Sequence, residues 1–329
     1  MPTHLCFAYA LALSTAVLTG PLLGHSQTVS TWIGGDGAWS EAANWDTSPL
    51  VPSNGQPLAG DQYHAVISGG YITLDQDVGL SRLALSGGTL DLQQSEPLSI
   101  LTQFGWTGGE ITSGGGKSIA LMSAATSRWS GALGLRNTLV SNSGNLTLSD
   151  AISLDLGGDY GVNTGLRNLP DSLVVLEGTG AWIGDWFGEG ETPDGLNNQG
   201  TVIKTGQGTF LFAGTGNSAA LPFVNSGTVK VEEGSLRIEA AVSSDTGAWR
   251  VENGADLQLR DVQTGAGSSI SGPGSVLFDT GNSFLTGSYT INKTTTTLAH
   301  LRFDSVNPVS FPVLVIGENS SVGGSTALS

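Results

Sequence analysis

Asn198-Gln199-Gly200-Thr201-Val202-Ile203-Lys204 and Asn225-Ser226-Gly227-Thr228-Val229-Lys230-Val231 repeat one pattern, a turn signal followed by a short strand with apolar residues at every second position. The same pattern occurs in Gly87-Gly88-Thr89-Leu90-Asp91-Leu92, in Asn142-Ser143-Gly144-Asn145-Leu146-Thr147-Leu148 and in Gly206-Gln207-Gly208-Thr209-Phe210-Leu211-Phe212. It recurs in Gly234-Ser235-Leu236-Arg237-Ile238, in Asn253-Gly254-Ala255-Asp256-Leu257-Gln258-Leu259 and in Gly272-Pro273-Gly274-Ser275-Val276-Leu277-Phe278. Period-two alternation buries one face of each strand, and the Gly-rich turns supply the positive φ of a sharp corner.

The spacing turns these strands into an architecture. Asn198 to Asn225 is 27 residues, Asn225 to Asn253 is 28, and Gly234, Gly254 and Gly274 follow one another at 20. Several short strands per period of 20 to 28 residues are a solenoid signature. A single coil cannot bury its inward face, whereas a stack makes a continuous core. The expected fold is therefore all-β: a parallel β-helix (β-solenoid), right-handed, of about 10 to 12 coils. The Asn preceding each x-Gly has two structural readings, tolerance of a left-handed turn or an amide ladder from coil to coil.

Composition bounds the function. The 329 residues include 49 Gly and only 12% charged side chains, without the three-residue period of collagen. Residues 1–26 contain no Asp, Glu, Lys or Arg, are mainly apolar from Leu5 to Leu23, and offer Gly24 and Ser26 before a cut, which predicts a signal peptide and export. The one cysteine, Cys6, lies inside that segment, so the mature chain has no disulfide or Cys-based site. The net charge of −16, from 28 acids against 12 bases, argues against nucleic acid, whose phosphates need clustered Lys and Arg. No transmembrane segment is expected in the mature chain. Residues 27–62, with Trp32, Trp39 and Trp45, are read as an N-terminal cap. Residues 63–329 are read as solenoid repeats, with a loop insertion around residues 155–197.

Three stretches resemble exported bacterial β-helix repeat proteins, autotransporter passengers and adhesin-like proteins among them. Thr31-Trp32-Ile33-Gly34-Gly35-Asp36-Gly37-Ala38-Trp39-Ser40-Glu41-Ala42-Ala43-Asn44-Trp45 resembles their T-W-x-G-G-x-G-x-W-x-x-A-x-N-W opening. Trp106-Thr107-Gly108-Gly109 resembles a W-x-G-G repeat, and Lys204-Thr205-Gly206-Gln207-Gly208-Thr209-Phe210 a K-T-G-x-G-T-L-x-L repeat. The resemblance implies a secreted or cell-surface β-helical protein and no particular catalytic set. Such proteins often carry a membrane β-barrel or a sorting helix at their end. Neither has a counterpart in these 329 residues, as expected if they are part of a longer gene product.

Chemistry-bearing residues are few. The mature chain has two histidines, His64 and His300, far apart in sequence. Carboxylate pairs at Asp75/Asp77, Asp155/Asp159 and Glu189/Glu191 could share a face, and Asp75, Asp77, Asp155 and Asp159 are weak candidates for a Ca2+ site. Trp182, Trp186 and Phe187, beside Glu189 and Glu191, are candidate sugar-stacking residues, with packing beneath a long loop as the alternative. The leading expectation is a non-enzymatic adhesin-like surface protein that presents loops to glycan or protein partners. A polysaccharide-active lyase or glycoside hydrolase using acids along a groove, and a passive spacer from a larger surface protein, are the alternatives.

Overall fold

The computed structural model describes residues 27–157, 164–184, 195–214, 221–239, 245–305 and 309–325. The chain forms a parallel β-solenoid with three strands per coil and three stacked sheets. A representative coil runs from Thr201–Thr205 in the first sheet through Thr209–Gly214 in the second to Phe223–Asn225 in the third, and Thr228–Val231 then starts the next coil. Each strand pairs in parallel with its equivalent one coil away, as in Val202 with Val229 and Phe212 with Ile238. Thirteen strands stack on the first sheet, from Gln27–Thr31 to Val309–Ser310, slightly more than the repeat arithmetic predicts. Gln27–Thr31 already pairs with Gln62–Ile67, so stacking begins inside the segment read as a cap.

The inward positions form columns along the axis. On the first sheet Leu146, Val174, Val202, Val229, Trp249, Ile270 and Tyr289 lie above one another, none more than 2% exposed. On the second sheet Leu154, Trp182, Phe212, Ile238, Leu259 and Phe278 do the same. Trp182, Phe212, Phe223 and Trp249 pass contacts between sheets, with ring centroids 5.2–5.3 Å apart. At the start of the chain Trp32, Trp39 and Trp45 are buried and pack edge to face, and Trp45 Nε1 donates to the Trp39 carbonyl at 2.9 Å.

The two readings of the asparagines resolve into the ladder. Asn142 Nδ2 donates to Asn168 Oδ1 (2.9 Å), Asn168 Nδ2 to Asn198 Oδ1 (2.8 Å) and Asn198 Nδ2 to Asn225 Oδ1 (2.8 Å). Each of these amides also donates to a backbone carbonyl of the next coil, at Leu173, Thr201 and Thr228 respectively. All four side chains are fully buried at the corner from third to first sheet, where they replace ladder bonds the turning backbone cannot make. Asn253, spaced as a fifth member by the sequence, lies instead between the first and second sheets. The successor of Asn225 is Asp245, whose Thr246 and Gly247 amides bond to the Asn225 carbonyl.

Coil length varies at one corner. Paired residues are 19 apart at Thr126/Asn145 and Ser269/Ser288, but 28 apart at Asn145/Leu173 and Leu173/Thr201. Between second and third sheets the short coils turn on a single left-handed residue, such as Asn137, Asp261, Thr280 or Leu298. In four successive coils that same corner carries longer connections, after strands ending at Gly157, Gly184, Gly214 and Ile238. The insertion read as one block around 155–197 is thus two corner connections separated by ordinary rungs at Gly165–Asn168, Leu173–Glu177 and Gly180–Gly184. Replacing Asn198 by Ala removes two amide-to-amide bonds and one to the Thr228 carbonyl, so the urea midpoint is expected to fall by the equivalent of about 2–3 kcal/mol. Gln199→Ala, at the exposed neighbouring position, is expected to stay within about 0.5 kcal/mol of wild type in the same measurement.

Candidate functional site

Of the residues singled out for sugar stacking, Trp182 is fully buried, inward on the second sheet and 5.3 Å from Phe212. Its ring is part of the core and offers no face to a ligand. Trp186, Phe187, Glu189 and Glu191, with Asp159, lie outside the described residues.

The carboxylates separate. Asp75 and Asp77 follow the strand Tyr71–Leu74 and reach to different coils. Asp75 accepts from the Ser40 amide (3.0 Å) and hydroxyl (2.6 Å). Asp77 accepts from the Ser95 and Glu96 amides (3.0 and 2.9 Å) and from the Ser95 hydroxyl. Burial pushes the Asp75 carboxyl up, but the Ser40 bonds outweigh it and hold it below the usual range. The Glu96 amide and the Ser95 hydroxyl hold Asp77 low in the same way. Both are turn pins, and among the described residues no group of three His, Cys, Asp or Glu side chains converges as a cation would need.

Asp155 faces an arginine that a second acid also approaches, as Lys230 and Arg237 are each approached by two acids elsewhere on the rod. Arg136 Nη2 is 3.6 Å from the Asp155 carboxylate, and Arg136 Nε is 3.4 Å from Glu110 on the other side. Gly157 makes room for this guanidinium, since a Cβ there would sit 2.1 Å from Nη1. All three side chains are 37–46% exposed on the outward second sheet, so solvent screens the pairs. His64, on the first sheet opposite Arg82, and His300, on the third sheet many coils away, are not brought together.

Among the buried ionisable groups that escaped the sequence reading, Lys204 and Asp245 are both structural. Lys204 occupies an inward position between Leu176 and Val231, fully buried. Its Nζ donates to the carbonyls of Thr205 (2.8 Å), Gly206 (2.6 Å) and Glu233 (3.3 Å), and burial lowers its pKa. Asp245 continues the asparagine column. It accepts from the Gly247 amide at 2.8 Å, as Asn142 does from Gly144, but its second oxygen accepts from Trp249 Nε1. An asparagine amide in that orientation would oppose one donor with another, which accounts for the carboxylate. Asn225 Nδ2 faces it without a hydrogen bond of normal length. Burial dominates these bonds and pushes the Asp245 pKa up to about 6.

A surface groove lies elsewhere. On the outward third sheet an open groove of about 530 Å³ is lined by Asn282, Phe284, His300, Arg302, Ser321 and Gly323 to Ser325. Asn282, His300 and Ser321 form one axial row, and Phe284, Arg302 and Gly323 the next. Phe284 is 42% exposed. The sequence signal for it is Phe284-Leu285, two consecutive apolar residues in an alternating strand, one of which must point outward. Among the described residues no helix is long and apolar enough to cross a membrane. The chain matches no protein-family model, no curated protein and no solved structure.

The Asp245 shift gives a pH signature. Its folded pKa is raised, so its contribution to stability is fully present below the ordinary carboxylate range and is lost as pH rises through about 6. The loss amounts to as much as about 3 kcal/mol. His64, whose pKa is lowered by burial and by Arg82, runs in the opposite sense over a similar window. Subtracting the Asp245→Asn urea midpoint from wild type at each pH isolates Asp245. That difference is expected to turn against wild type as pH rises from the ordinary carboxylate value of 3.8 to about 6 and to level off above it, and a flat difference contradicts the assignment.

Proposed function

We propose that this chain is an exported surface or matrix protein of adhesin-like type, a rigid acidic rod that presents loops to glycan or protein partners. The observation that carries this reading is the placement of its long connections. Four successive coils carry them at the same corner, after Gly157, Gly184, Gly214 and Ile238. Insertions on one edge of a repeat array are the usual way such arrays build a recognition surface. Trp186, Phe187, Glu189 and Glu191 belong to one of these connections. The charge of −16 favours neutral or basic partners and keeps the rods apart. Export through residues 1–26 fits a mature chain that contains no cysteine.

A polysaccharide-active enzyme is the second reading, and Glu110, Arg136 and Asp155 are the observation in its favour. Arg136 is engaged by both carboxylates, which suits a surface ion-pair network better than a base held free for substrate. Arg136→Ala separates the readings: unchanged partner binding is expected from the first, and loss of polysaccharide cleavage from the second.

Two measurements test the leading reading. Protein secreted from a host expressing the full sequence is expected to begin at Gln27, read by N-terminal sequencing. A variant with residues 186–193 replaced by Gly and Ser is expected to lose at least tenfold in binding on glycan and protein arrays, with its melting unchanged. Absence of binding by wild type on every array would leave the passive spacer.

A further inference from the structure

We propose that the groove around Phe284 on the third sheet binds a neutral, gluco-configured oligosaccharide, with the Phe284 ring as its stacking platform. The inference rests on the reading of the chain as a binding rod and names a ligand class and a site for it, away from the corner connections.

The geometry builds the site from three adjacent rungs. Phe284, Arg302 and Gly323 follow one another along the axis, so an aromatic ring, a guanidinium and bare backbone lie side by side at ~4.8 Å spacing. The parallel row of Asn282, His300 and Ser321 adds an amide, an imidazole and a hydroxyl. A phenyl ring left 42% exposed amid polar neighbours keeps apolar surface in water, a cost that a ligand with its own apolar face would relieve. A pyranose whose hydroxyls are all equatorial has such a face, made of axial C–H bonds, and a rim of hydroxyls that need partners. The rim meets donors and acceptors here. His300 Nδ1 is bonded to Ser321 Oγ at 2.8 Å, which leaves Nε2 for a ligand, and the Asn282 side chain offers both a carbonyl and an amide.

Charge selects among sugars. The one cation of the groove, Arg302, is paired with Asp304 at 2.5 Å, and Asp304 also accepts from the Ser325 amide and hydroxyl. The guanidinium is therefore held in place as a neutralised donor, and a uronic acid finds no spare positive charge in a protein of net charge −16. Size suits a short oligosaccharide: about 530 Å³ lies within the range of small-molecule sites, and three rungs extend over ~10 Å. Gly323 keeps the floor open, since a Cβ there would meet nothing within 4 Å.

The test uses the full chain, with calorimetric titration and saturation-transfer NMR. Cellohexaose, whose rings are equatorially substituted throughout, is the probe, and an oligogalacturonate of equal length and a neutral peptide are the comparison arms. Wild type is expected to bind cellohexaose at least tenfold tighter than either. Phe284→Ala is expected to weaken that binding tenfold or more and Phe284→Trp to preserve it. Gly323→Trp fills the groove without a steric conflict at its Cβ and is expected to abolish binding with unchanged circular dichroism. Equal binding by wild type and Phe284→Ala, preference for the oligogalacturonate or the peptide, or no binding of cellohexaose would each overturn the assignment. The reading of the chain as a binding rod would survive these results if the variant replaced at residues 186–193 still lost array binding, and would fall with the assignment if wild type bound nothing on any array.

Discussion

Every part of this molecule depends on axial stacking: each inward side chain must find its partner in the coil above and the coil below. Parallel pairing lines the columns up, with the register shifting at irregularities between Leu80 and Arg82 and between Gly272 and Ser275; within a strand, one residue out of phase would turn it inside out. This explains why the strands are short and regular while the connections between them vary. It also explains why variation in length collects at one corner. Between second and third sheets the path can close on one left-handed residue, as at Thr280 or Leu298, or leave the coil and return, without disturbing either column. The third-to-first corner lacks that freedom in the middle of the rod, because the asparagine amides there are bonded to the next coil.

The same constraint gives the buried polar groups their meaning. A strained pKa in an interior is a common sign of a functional site, yet Lys204 and Asp245 are explained by what the columns require of them. Lys204 threads an apolar column and uses its length to bring its ammonium to three corner carbonyls. Asp245 takes an asparagine position at the rung where the neighbour is a donor, the Trp249 indole, rather than another amide. Each is a local exception that the corner next to it accommodates, and neither faces a cleft where a substrate could lie.

How much of this was legible in the sequence follows from which interactions are local. Alternation within a strand and the return of Asn-x-Gly are written along the chain, so the β-solenoid and its repeat length could be read, with the amide ladder as one of two readings and its member Asn168, which lacks the following Gly, not marked at all. Matches made across coils could not be read. Asn253, followed directly by Gly254, has the spacing but not the place, whereas Asp245-Thr246-Gly247 has the place with a carboxylate instead of the amide, because the coil shortens from 27 to 20 residues at that point. Trp182 looked like a ligand platform because it sits next to an irregular segment, but its phase within Gly180–Gly184 turns it inward onto Phe212. The Phe284 groove stayed hidden for the opposite reason. Its two rows are built from residues 18 to 21 positions apart, and only the register of the last three coils brings them side by side.

These facts also limit where recognition can arise on such a rod. Inward positions are committed to the columns, and the third-to-first corner is committed to the ladder for much of its length. What remains free is the phase of outward side chains and the length of the second-to-third corner. The four long connections use the second freedom, and Phe284, with the bare backbone at Gly323, uses the first. Both can change without affecting the core: an outward residue touches only its axial neighbours, and a corner connection leaves and rejoins the same two columns. A fold with this division of labour can vary its outward surface while its stability is carried by the inward columns.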